Sequence, residues 1–195
     1  MILPGLLAPS QPVTFPRPFA PSEGNVSVPE QPYRAEICLN GRWQFQPVAV
    51  PESFRQNSGN APELPAPTSA GWDKTPIKIP SPWNVNAFNL GPGGDFRSYP
   101  SYPASWNRVQ LGWLRRSVTV PKDWAGKRFL LRFEAIAGNA EIYVNGQKVG
   151  ENFDLFLPAQ YDVTQYIRVG QTNEIRVGVR KASLFHRSGV VGARP

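Results

Sequence analysis

The chain has 195 residues, with 21 Lys and Arg against 14 Asp and Glu, a formal net charge of +7. Hydrophobic residues make up 41% and aromatics 12%, enough for one well-packed domain and too many for a generally disordered chain. The 18% charged content argues against a long solvated helix or coiled coil, and the single cysteine excludes an internal disulfide and a cysteine-based zinc site. No apolar run approaches the roughly 18 residues of a membrane-spanning helix, so no membrane partner is expected.

Residues 1–32 hold 8 of the 22 prolines. They read as an extended or disordered arm, set apart from a globular unit over 33–195. Met1 to Ala8 is apolar, but Pro4 and Gly5 interrupt it and no basic stretch precedes it, so it is not read as a signal peptide. The compartment, cytoplasmic or exported, stays open. Residues 37–45 contain at least one strand. Residues 47–82 carry another 8 prolines, which lack the amide a sheet ladder needs, and only 77–79 reads as a strand there. Residues 84–112 show no strand pattern; a connection of that length is usually functional or disordered, and Phe88, Phe96, Tyr99, Tyr102 and Trp106 count against plain disorder.

From there the strand signals are clear. Residues 113–120 form one. In 128–136, Phe129, Leu131, Phe133 and Ala135 share a face opposite Arg132 and Glu134. Residues 140–149 form a hairpin about Asn145-Gly146, a pair suited to a turn with two positive φ angles. In 174–180, Ile175, Val177 and Val179 alternate with Glu174, Arg176 and Arg180. Residues 123–126 and 163–167 are single helical turns at most. About seven short strands with intervening turns predict an all-β antiparallel sandwich or jelly roll.

Few residues advertise chemistry. Gly91-Pro92-Gly93-Gly94 lacks the strand-to-helix context of a phosphate loop. His186 has no orienting partner in sequence, and Cys38 has no adjacent base, so both are read as packing or surface residues. The basic residues are dispersed along strands, which describes a solvated face better than a nucleic-acid site. Trp43, Trp113 and Trp124 are expected in the core. Trp83, Phe88 and Trp106, in or beside the long connection, are candidates for stacking on a sugar face.

These segments together resemble a known family. Gly112-Trp113-Leu114-Arg115-Arg116, Val118-Thr119-Val120-Pro121, Trp124-Ala125-Gly126-Lys127-Arg128 and Leu130-Leu131-Arg132-Phe133-Glu134 occur in order. Glu141-Ile142-Tyr143-Val144-Asn145-Gly146, Tyr161-Asp162-Val163-Thr164 and Asn173-Glu174-Ile175-Arg176-Val177 follow. Leu39-Asn40-Gly41-Arg42-Trp43-Gln44-Phe45 is similar to an opening strand, and Ile79-Pro80-Ser81-Pro82-Trp83 to a "V-P-x-x-W" segment. The series, over about residues 36–183, resembles the N-terminal sugar-binding jelly roll of glycoside hydrolase family 2, the family of β-galactosidases, β-glucuronidases and β-mannosidases.

The resemblance implies a galactose-binding-domain-like fold and a role as one wall of the sugar pocket in a retaining exo-β-glycosidase, β-galactosidase-like as first choice. Asp154-Leu155-Phe156-Leu157-Pro158 with Tyr161-Asp162 resembles the β-galactosidase pattern "D-x-x-L-P…D". That makes Asp154 the leading substrate contact, a charged acceptor for a sugar hydroxyl, with a turn residue capping its own backbone as the alternative. An asparagine following the "W" segment is also implied, with Asn84, Asn86 and Asn89 in range. The family's catalytic glutamates belong to a downstream (β/α)₈ barrel, which needs roughly 250 residues. The chain alone is therefore expected to be inactive and part of a longer protein, with its sandwich ending before the closing "G-I-x-x-x-V" strand. Expected partners are a terminal β-glycoside and downstream immunoglobulin-like and barrel domains, without nucleic acid or a cofactor; homo-oligomerisation is left open. A stand-alone carbohydrate-binding module and a purely structural or oligomerisation domain are the alternatives.

Overall fold

The computed structural model describes residues 24–26, 34–55, 61–84 and 102–184. Ten strands run in order: β1 (Gly24–Val26), β2 (Glu36–Cys38), β3 (Gly41–Val48), β4 (Ile77–Ile79), β5 (Leu111–Thr119), β6 (Leu130–Phe133), β7 (Asn139–Val144), β8 (Gln147–Asn152), β9 (Ala159–Asp162) and β10 (Thr172–Arg180). Six form one antiparallel sheet in the order β4-β3-β5-β10-β7-β8, and β1-β2 and β6-β9 form two-stranded sheets. The helical elements among the described residues are short 3-10 turns, including Lys122–Trp124 and Thr164–Tyr166, where single turns are predicted.

The core lies where alternation places it. Trp43 and Phe45 of β3, Ala140, Ile142 and Val144 of β7 and Ile175, Val177 and Val179 of β10 share the inner face of the large sheet. Leu131 of β6, Ile136 and Val163 close over them, with Phe129, Phe133 and Tyr161 at the margin. The predicted inward face of 128–136 holds for Phe129, Leu131 and Phe133. Ala135 is instead exposed and Ile136 buried, because the strand ends at Phe133 and the alternation ends with it.

The outer face is covered too. Prolines keep residues 49–55 and 61–76 out of the ladder, and residues 61–76 cross the sheet as a strap. Its Leu64 packs with Leu111, Trp113 and Leu184, and Trp72, Val50 and Phe54 pack at the edge. Strap carbonyls accept from the sheet below: Trp113 Nε1 donates to Pro65 O at 2.8 Å, and Arg180 Nε to Pro62 O at 2.7 Å. The Arg115 guanidinium lies 4.1 Å over the Trp72 ring. Gly178 permits this closeness, since a Cβ there would stand 2.2 Å from Leu64 Cδ2.

One expectation changes. Arg180, predicted on a solvated face, is buried beneath the strap and pairs with Glu141. Within the proline-rich arm, Gly24–Val26 is a strand, paired with β2 across Asn25 and Ile37. The alternating Asn145-Gly146 turn is as predicted, with φ of 50° and 82°.

Candidate functional site

The register brings several loops to one end of the large sheet. Val48 pairs with Leu111, Leu111 with Arg180, Arg180 with Asn139, and Ala140 with Asn152. The chain therefore leaves β3, enters β5, leaves β10, enters β7 and leaves β8 all at this rim. Lys181 N donates to Gln110 O at 2.9 Å, tying two of these crossings together.

Asp154 stands on this rim, two residues beyond β8. Asn152, buried at the strand end, holds the loop from below. Its backbone carbonyl accepts from Asn139 Nδ2 at 3.2 Å, and its own Nδ2 donates to Asp154 O at 2.7 Å. Asp154 Oδ1 then accepts the backbone N–H groups of Phe156 at 3.0 Å and Leu157 at 3.1 Å. This is the side-chain capping that aspartate offers a turn. The result is a loop held by its own side chains, with Phe153 69%, Phe156 83% and Leu157 62% exposed. Exposed apolar residues grouped in this way mark a contact surface more often than chance.

Below the loop lies a charged band on the outer face. Glu141 meets Arg180, Lys148 at 3.5 Å, and Tyr143 Oη at 2.9 Å. Burial pushes the Glu141 carboxyl up, but the hydrogen bonds from Arg180 and Tyr143 and the two cationic charges outweigh it, so it lies below the ordinary range. The Lys148 ammonium is raised, chiefly by its hydrogen bond with Glu151. Tyr161, whose hydroxyl donates to Glu151 O at 2.8 Å, is raised by burial and then by the Glu151 charge.

The tryptophans expected to stack on sugar are placed otherwise. Trp106 is fully buried, edge-on to Phe45 at 4.6 Å and against Tyr102 at 5.0 Å, with Nε1 donating to Asp73 Oδ2 at 3.1 Å. Trp83 is buried as well, stacked on Phe45 at 5.2 Å with Nε1 donating to Val109 O at 2.9 Å. A ring that stacks on sugar needs an open face, and in this fold both rings are packed into the core. Of the core tryptophans expected, Trp43 and Trp113 are buried, whereas Trp124 is only half-buried, stacked on Phe129.

Asn84 is buried just after Trp83. Asn86, Asn89, Phe88, His186 and residues 91–94 lie outside the described residues. Trp83 packs beside β3 and β5, whereas Asp154 follows β8, the far edge of the sheet. Three strand spacings from β5 to β8, at about 4.8 Å each, separate them laterally by roughly 14 Å. Trp83 and Trp106 thus pack on the β3–β5 side of the sheet and Asp154 follows its β8 edge. A shallow groove of about 260 Å³ near Pro47, Ala49, Ser105 and Arg108 includes none of the candidates. Among the described residues no three or more His, Cys, Asp or Glu side chains cluster as a metal site would require, and no helix is long and apolar enough to cross a membrane.

Asn152 was not anticipated, although its spacing two residues before Asp154 is the local signal for the clasp. The Arg180–Glu141 pair left no local trace, because its members are 39 residues apart.

Comparison with known proteins gives a consistent picture. Residues 35–191 match the family model described as "Glycosyl hydrolases family 2, sugar binding domain". A β-galactosidase of Yersinia pestis is 32% identical over 165 residues, covering 79% of this chain and 14% of that protein. A β-galactosidase of Priestia megaterium is 28% identical over 160 residues, covering 74% of this chain and 14% of that protein. Among solved structures, the Faecalibacterium prausnitzii β-glucuronidase superposes with a TM-score of 0.56 at 23% identity, over 80% of this chain and 22% of that one, a likeness of fold. The chain thus spans about a seventh of the length of these curated relatives.

Proposed function

This chain belongs to the family 2 glycosyl hydrolase sugar-binding domains, and on that premise we propose that it serves as the N-terminal domain of a retaining exo-β-glycosidase. A terminal β-galactoside is the first-choice substrate. The rim that carries Asp154 forms one wall of the sugar pocket, and the exposed apolar side chains of its loop pack against downstream parts of the same protein. The observation that supports this reading is the clasped loop itself: a carboxylate and three exposed apolar side chains held in place by Asn152 and by Asp154 Oδ1. Such prior fixing lowers the entropy lost when a surface is engaged.

Catalysis itself requires two carboxylates about 5–5.5 Å apart in a retaining enzyme. We assign that pair to the downstream barrel, so this domain contributes binding and positioning and is inert alone. Asp154 accepts a hydroxyl of the bound sugar. A carboxylate has about four acceptor positions, so capping its loop and accepting a hydroxyl are compatible. The choice of a galactoside rests on the likeness of residues 154–162 to the β-galactosidase pattern, since the relatives include proteins named β-galactosidase and proteins named β-glucuronidase.

The test uses the full-length protein with an aryl β-galactoside. Asparagine caps a turn as aspartate does but lacks the charge. Loss of a charged hydrogen bond costs ~1.5–3 kcal/mol, roughly tenfold to a hundredfold in kcat/KM. If Asp154→Asn loses as much as Asp154→Ala, the sugar contact stands. If Asp154→Asn keeps full activity and Asp154→Ala does not, Asp154 is a positioning residue for its loop. No turnover of any aryl β-glycoside by the full-length wild type would overturn the glycosidase reading.

A further inference from the structure

The hairpin turn at the opposite end of the sheet holds a reactive pair. In an Asn-Gly sequence the glycine nitrogen can attack the asparagine side-chain carbon. The new C–N bond displaces Nδ2 as ammonia and closes a succinimide, and water then opens the ring to aspartate or isoaspartate. The net change is one water taken up and one ammonia released. The attack needs the Asn side chain to swing toward the following nitrogen.

In this fold the Asn145 carboxamide is held on every side. Its Nδ2 donates to Tyr166 O at 2.7 Å and to Asn173 Oδ1 at 2.8 Å, and its Oδ1 accepts the Glu174 N–H at 2.9 Å. Its backbone N–H donates to Glu174 O at 2.8 Å. The partner Asn173 is fully buried and equally committed: its Oδ1 accepts the Arg168 N–H at 2.8 Å, and its Nδ2 donates to Arg168 O and Gln171 O, both at 3.0 Å. Swinging Asn145 toward Gly146 breaks three of these bonds at once.

From this geometry we infer that Asn145-Gly146 is a deamidation site guarded by the fold, and that its conversion is a one-way exit from the native state. The product cannot return to the same place. An aspartate at 145 has no N–H to give, so its carboxylate would face two acceptors, Tyr166 O and Asn173 Oδ1. An isoaspartate would also lengthen the backbone of a two-residue turn whose φ angles are fixed. The guard therefore links chemical ageing of this domain to its opening, through the hairpin that joins β7 to β8 and the start of β10.

The chain carries its own control in Asn40-Gly41. Asn40 uses its backbone carbonyl for Arg116 at 2.9 Å, and among the described residues no hydrogen bond holds its carboxamide. The experiment incubates the protein at mildly alkaline pH with and without urea. Peptide mapping by mass spectrometry then measures the conversion of Asn145 relative to Asn40 in each sample. In urea the two convert at similar rates. In the folded protein the Asn145 ratio falls by on the order of tenfold or more, since several hydrogen bonds must open first. An equal ratio in both conditions overturns the guard. The one-way step is read from Asn145→Asp, expected to melt below the wild type or fail to fold while Asn40→Asp melts as the wild type does. An Asn145→Asp variant with unchanged melting overturns that step.

Discussion

Arg180 gives the most direct measure of how the strap is held to the sheet. Its side chain is 9% exposed and that of Glu141 14%. Arg180 also donates to Pro62 O at 2.7 Å and to Asn139 Oδ1 at 2.8 Å. Replacing it with methionine preserves much of the apolar stem but strands Glu141 in a poorly hydrated place and frees two acceptors. Removing one partner of a buried pair costs about 3–5 kcal/mol. Glu141 keeps Tyr143 and Lys148, so the lower half of that range is expected. At roughly 2–4 °C per kcal/mol for a domain of this size, the full range corresponds to about 6–20 °C in Tm. The assay is thermal and urea unfolding of wild type, Arg180→Met, Glu141→Met and the double variant. The double variant should recover part of the loss of either single change, because no unpaired charge remains. Melting of Arg180→Met within a degree of wild type would refute the reasoning, as would a double variant worse than the sum of its parts.

Two further outcomes follow from the same geometry. Trp106→Ala should cost about 3–5 kcal/mol of stability, as truncation of a buried aromatic does, and should lower sugar affinity only in proportion to unfolding; a folded variant that selectively loses sugar binding would return Trp106 to the site. Hydrogen bonds from the Thr164 side chain and backbone, and then from Arg128, hold Asp162 down to about 2. Its pKa is depressed in the fold, so its contribution is present above the unfolded value near 3.9 and is lost as pH falls toward about 2. Acid unfolding of Asp162→Asn should lack that part of the pH dependence, and an unchanged acid profile would count against it.

Much of the sandwich was legible because its signals are local. Period-2 alternation in 174–180 and 128–133 states which side chains face inward, and Asn145-Gly146 states where the hairpin turns, since few other pairs tolerate two positive φ angles. The limits of that legibility are specific. Residues 159–162 carry too short and mixed a pattern to mark β9, whose pairing with β6 supplies the missing support. Trp106 in sequence is an aromatic in an unpatterned connection; its burial depends on Phe45, Tyr102 and Asp73, between 4 and 61 residues away.

The candidate site divides the same way. The residue types around 152–158 make a turn with a carboxylate at its base readable from the chain alone, because aspartate caps a backbone within reach of its own side chain. Which rim that turn occupies, and its lateral distance from Trp83, depend on the strand order β4-β3-β5-β10-β7-β8, which no local pattern encodes. The sequence determined alternation, turn chemistry and the exclusion of proline-rich stretches from the ladder, because each depends on neighbouring residues. Tertiary structure alone decided that the excluded stretch would become a strap, that Arg180 would be buried beneath it with Glu141, and that Trp83 and Trp106 would be packed into the core. Those outcomes rest on pairings dozens of residues apart, whose energies appear only when the sheet has closed.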